Sequence, residues 1–289
     1  MSDRGSKLYD IPLVQAHDFM RAFIQAKGNT ELLQFAIETT ESMKRIINLL
    51  TDDQTELLSY EEELRDELYR YPLGFRILPV DEQVHSLLKY FPNLNASHVN
   101  ELAKGNLPKG AEGWAVIPKP DRIGTYYEAF TKALQLIAEN RVFKIWLEDE
   151  LLEQNISLFD KTKQCHSKLN AQPGDLWVFP FQFGKRWSKH SYHMVCFENN
   201  EFGLGPYEIA ILLLTHPNRI IKSIQIQIGC LGCEYKGASA NANFDDYLIF
   251  YRNSIHDRLD LGCFTKNDLA NTYPAISGFL SLDPSSQKT

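Results

Sequence analysis

Four aromatic side chains, Trp177, Phe179, Phe181 and Phe183, fall on one parity of a short segment. Successive side chains of a β-strand point to opposite faces, so this spacing predicts a strand over Leu176–Phe183 with one face committed to a core. A chain that buries four rings on one strand face needs a second layer to cover them. The segment Gly184-Lys185-Arg186-Trp187-Ser188-Lys189 follows at once, and the chain then returns through His190-Ser191-Tyr192-His193-Met194-Val195-Cys196. That return predicts a second strand, Tyr192–Phe197, and puts the basic residues at a hairpin tip.

Two further strands are predicted at Ile220–Ile228 and Tyr247–Tyr251. In the first, Ile220, Lys222, Ile224, Ile226 and Ile228 share a face opposite Gln225 and Gln227, the alternation of a sheet covered on one side. A helix is expected between these strands. Gly205-Pro206-Tyr207-Glu208 supplies Pro at the first helical position and an acid in the first turn, and Thr215-His216-Pro217 ends it. Its residues Ile209 to Leu214 are apolar all round, which predicts burial.

The N-terminal part reads as helices. Leu13, Ala16, Phe19, Met20 and Phe23 form one stripe, and Leu33, Ala36, Thr40, Met43, Ile47 and Leu50 a second. Leu57, Tyr60, Leu64, Leu68 and Tyr71 form a third, stopped by Pro72. Shorter helices are expected over Glu82–Tyr90 and His98–Lys104. Between Gly105 and Pro120 the composition shifts to Gly, Pro and Lys around Trp114-Ala115-Val116-Ile117, a short strand. The domain boundary is placed there, giving an all-helical region 1–108 and a sheet domain 109–289. A helix follows over Thr125–Glu139. Val142–Gln154 is read as continuing helically, although Val142 to Leu147 alternates enough to be a strand. The expected fold is α+β: a helical N-terminal region followed by a mainly antiparallel sheet domain with a buried helix.

The net charge of −7 is concentrated. Residues 38 to 69 hold ten acids against Lys44, Arg45 and Arg65, so the rest of the chain is formally neutral. An acidic chain is a poor non-specific binder of DNA, whose affinity is dominated by phosphate neutralisation. The acidic run reads first as a solvated helix face and second as a docking surface for a basic protein partner. No apolar run approaches the roughly 20 residues that span a bilayer. The start of the chain is polar where a signal peptide carries an apolar core, and the five cysteines show no secreted-domain spacing. Reduced thiols and a cytoplasmic location are expected.

Three kinds of chemistry are written in the sheet region. Cys230-Leu231-Gly232-Cys233 has the C-x-x-C spacing that brings two thiolates to one tetrahedral ion, and His190 and Cys196 share a strand face that could complete a zinc site. His193 points the other way, so convergence needs a bulge. The reading favoured is two structural cysteines and no cofactor. Pro173-Gly174-Asp175-Leu176-Trp177-Val178-Phe179 followed by His193-Met194-Val195-Cys196-Phe197 resembles the strand pair of papain-like cell-wall peptidases. That resemblance implies His193 as a catalytic base. The family's nucleophile lies on a helix well upstream, whereas the nearest upstream cysteine here is Cys165.

The third is anion or nucleotide binding. Lys185, Arg186 and Lys189 around Trp187 combine charge with a stacking plane. Gly203-Leu204-Gly205 before a helix also offers backbone N–H groups to a phosphate. No Gly-x-Ser-x-Gly, His-Glu-x-x-His or kinase set occurs. The function expected is therefore non-enzymatic binding or interaction, with Lys185, Arg186, Trp187 and Lys189 as ligand edge. The alternative is a metal- or thiol-dependent hydrolase drawing on His190, His193, Cys196, Cys230 and Cys233.

Overall fold

The computed structural model describes residues 71, 75–147, 153–187, 195–220, 227–236, 246–253, 255–265 and 275–280, all within the unit Arg70–Thr289. The three helical stripes expected before Tyr71 and the acidic run lie outside the described residues.

The fold is α+β. One sheet is ordered β1 (Gly113–Pro118), β4 (Leu176–Gln182), β10 (Ser277–Phe279) and β5 (Glu201–Gly203), with every pairing antiparallel. The aromatic strand is β4, and six of its seven residues are buried, so both faces are covered. Its partners are β1, in register Ile117↔Trp177 and Ala115↔Phe179, and β10. The expected hairpin partner differs: Val195–Phe197 belong to no strand, and residues 188–194 are outside the described set.

In the second sheet the hairpin of β8 (Asp246–Asn253) and β9 (Arg258–Thr265) is central. β7 (Cys233–Tyr235) and β6 (Ile228–Gly229) pair with β8, and β3 (Ile156–Leu158) pairs with β7, all antiparallel. β2 (Phe143–Ile145) joins β9 in parallel. Here the helical reading of Val142–Gln154 is corrected. The alternation from Val142 to Leu147 is a strand signal, and only a three-residue 3-10 turn, Glu153–Asn155, is helical in the described remainder.

Five α-helices surround these sheets among the described residues: α1 (Val80–Tyr90), α2 (Val99–Leu102), α3 (Tyr126–Asn140), α4 (Asp160–Asn170) and α5 (Pro206–Thr215). Every residue of α5 is buried, as its all-round apolar sequence requires. Side chains satisfy carbonyls at and just beyond its C-terminus. Arg141 Nη2 donates to Leu213 O and Arg141 Nη1 to Pro217 O, each at 3.3 Å, and Thr215 Oγ1 donates back to Ile211 O. α3 starts with a complete capping box, in which Thr125 accepts from Glu128 N and Glu128 accepts from Thr125 N.

Two glutamines close backbone that the first sheet leaves open. Gln83 of α1 accepts from Val116 N and donates to Trp114 O, acting as a surrogate strand along the free edge of β1. Gln172 does the same for Val178 of β4, accepting from its N–H and donating to its C=O. Buried Lys119 donates to Asn170 O and Gln172 O at the C-terminus of α4, where a cation is favoured. No helix among the described residues is long and apolar enough to cross a membrane.

Candidate functional site

The loop after β4 is built on Glu112. The chain leaves Phe183 through Gly184 at φ +104°, in the left-handed region that favours glycine. Glu112 Oε1 accepts the N–H groups of Phe183 at 2.8 Å and Lys185 at 3.2 Å, while Tyr71 donates its hydroxyl to Oε2. Burial first, then the Glu112 carboxylate, push the Tyr71 phenol well above its ordinary range, so it remains a donor. Beside it, fully buried Arg219 donates through Nε and Nη2 to Phe183 O and lies within cation–π distance of Tyr71, Phe75 and Phe183. Burial pulls the guanidinium down to about 10, which leaves it charged.

Over this base lies an open cleft of about 550 Å³ lined by Phe75, Arg76, Ile77, Gly110, Ala111, Glu112, Lys185 and Arg186. Arg76 and Lys185 are exposed, and neither has an ion-pair partner among the described residues. Arg186 differs. It reaches Glu198 through Nη2, Lys109 O through Nη1 at 3.4 Å and Glu201 Oε2 through Nε at 3.6 Å. Gly110, at φ +93°, lets it pass, because a Cβ there would collide with Arg186 Nη1.

Of the residues expected at the ligand edge, Lys185 and Arg186 therefore share one cleft. Trp187 does not offer a free plane: it is 8 % exposed and donates from Nε1 to buried Glu201 at 3.0 Å. Lys189 is outside the described residues. Arg76 and Glu112 escaped the sequence reading. Arg76 carries no periodic or motif signal, and Glu112 meets Lys185 across 73 positions.

Of the expected metal ligands, Cys230, Cys233 and Cys196 are among the described residues. Cys230 and Cys233 are free, fully buried thiols, both pushed up by burial first. Cys233 Sγ donates to Cys230 O, and the intervening Leu231-Gly232 turn packs on the backbone of Gly203-Leu204-Gly205. That contact explains Gly203 and Gly232 by close backbone approach. The phosphate reading of Gly203-Leu204-Gly205 is corrected, since Leu204 N already donates to Ile276 O at 3.2 Å and Tyr207 N to Tyr126 OH at 3.3 Å. Cys196 is exposed, and His190 and His193 lie outside the described residues. No group of three His, Cys, Asp or Glu side chains among the described residues could hold a metal ion.

A second polar cluster is wholly internal. Glu208, at the start of α5, accepts from Tyr126 OH at 2.9 Å, and its other oxygen lies 3.1 Å from His166 Nε2. His166 stacks between Trp177 and Tyr126, with ring centroids at 4.7 and 5.7 Å, and is buried. Cys165 beside it is also buried, its thiol pushed up to about 11 by burial.

Comparison with protein-family models, curated proteins and solved structures returned no match.

Proposed function

We propose that this chain is a non-enzymatic binding protein whose ligand is a small anion held in the cleft above Glu112. The observation that carries this reading is the convergence of Arg76, Lys185 and Arg186 on one cleft of about 550 Å³. The two exposed cations supply attraction. Arg186, already tied to Glu198 and Glu201, supplies a fixed wall. Glu112 lowers the net charge of the cleft, but Tyr71 OH and two backbone N–H groups already occupy three of its roughly four lone-pair sites and offset its charge. The five cysteines stand as free thiols, which supports a cytoplasmic setting for this activity.

Calorimetric titration with inorganic phosphate at low salt tests the proposal. Binding is expected, weakening as ionic strength rises. The double substitution Arg76→Ala/Lys185→Ala should abolish it while changing stability by no more than about 0.5 kcal/mol, as exposed positions usually do. Equal binding by the double variant would remove the cleft from consideration.

A further inference from the structure

We infer that the anion taken by this cleft is a nucleoside monophosphate whose base carries an exocyclic amine. This rests on the anion-binding reading above and specifies its ligand. Three features of the cleft go beyond holding charge. Phe75 forms part of its wall, and the ring is fixed by edge-on contacts with Tyr71 (5.8 Å, 72°) and Phe183 (5.7 Å, 71°). A half-buried aromatic held in place by its neighbours is a platform for a base, which stacks on any such ring with little ordering cost. Glu112 then adds direction. A carboxylate has about four lone-pair sites and three are used here, leaving one to accept an amine at the edge of a base.

Size and charge agree with that ligand. Arg76 and Lys185 match the two charges of a phosphate monoester. The volume, about 550 Å³, is that of a small-molecule site and exceeds what an inorganic ion fills. The net charge of −7 weighs against a polyanionic chain, so the nucleotide is a free one.

The test titrates the full chain with AMP and CMP, with UMP, whose base lacks the amine, with ribose 5-phosphate and with inorganic phosphate. AMP or CMP is expected to bind at least about fivefold more tightly than ribose 5-phosphate, the low end of what one aromatic stack contributes, and more tightly than UMP; equal binding by UMP would overturn the amine. Phe75→Leu should erase that difference and leave phosphate binding intact, which also reports that the variant is folded. If no nucleotide exceeds ribose 5-phosphate while phosphate still binds, the nucleotide inference is overturned and anion binding stands. If none of the five probes binds, the anion reading itself fails and takes this inference with it.

Discussion

His166 Nε2, on α4, lies 3.1 Å from Glu208 Oε1, at the start of α5, and both side chains are buried. The geometry does not satisfy a hydrogen bond, so the two polar atoms are buried in proximity, and Tyr126 OH donates to the other carboxylate oxygen. Removing one partner of a buried polar pair strands the other. Glu208→Ala should therefore destabilise the protein by about 3 kcal/mol, against about 1 kcal/mol for an ordinary substitution. Urea denaturation measures this, and a loss no larger than the ordinary value would show that the pair is dispensable.

Gln83 makes a parallel case at a sheet edge. It is fully buried and its amide occupies both Val116 N–H and Trp114 C=O. Gln83→Leu keeps the volume and removes these two bonds and a third, from Nε2 to Leu78 O, leaving a buried donor unmatched at a cost of about 2 kcal/mol. Thermal and urea melts should agree on that loss. An unchanged midpoint would mean that water takes over the edge.

Gly110→Ala tests how Arg186 is positioned. The backbone at φ +93° strains any L side chain, and the added methyl meets Arg186 Nη1. A loss of about 1–3 kcal/mol is expected from the backbone alone. Displacement of Arg186 should also change the fluorescence of Trp187, which its guanidinium approaches at 5.3 Å. An unaltered emission spectrum would separate the turn from the loop.

His216 gives the fold a pH dependence. Its Nε2 accepts from Leu78 N at 3.0 Å, so the neutral ring carries its proton on Nδ1, facing Leu212 O. Burial holds it down to about 4, below its ordinary 6.5, and donation to Leu212 O opposes this only in part. With the folded value depressed, the unfolded chain binds the proton first as pH falls. Stability from this group is complete above about 6.5 and declines toward pH 4, by about 3 kcal/mol in all. His216→Gln should flatten the profile in that window relative to wild type; identical slopes would assign the effect to carboxylates.

The parts of this architecture visible in the sequence are those whose signal is local. The capping residues Thr125 and Glu128, the apolar circumference of Ile209 to Leu214 and the aromatic parity of β4 are each complete within a few residues. α4 was not legible, because it buries only Thr162, Cys165, His166 and Leu169 and is otherwise charged or polar. β10 was hidden for another reason: its partner in β4 is 95 positions away at Ser277 and Gln182. The cleft combines both difficulties, since Arg76, Glu112 and Lys185 come from three segments, none with a periodic signature. Trp187 shows the reverse error. Among Lys and Arg it reads as a stacking surface, yet Glu201, fourteen residues on, draws it inside.

The thiols separate the structural reading of Cys230 and Cys233 from the metal-dependent one. Nucleophilic attack on a thiol reagent needs the thiolate, and burial raises Cys165, Cys230 and Cys233 away from ionisation. Cys196 alone is exposed. Titration of the native protein should accordingly modify Cys196 first, with these three buried thiols reacting only after denaturation, and a chelator should change neither rate nor count. Mass spectrometry of the partly labelled protein identifies the site. Fast labelling of Cys230 or Cys233 that appears only after chelation would mean that a bound ion had been holding them, and would restore zinc as a ligand of this turn.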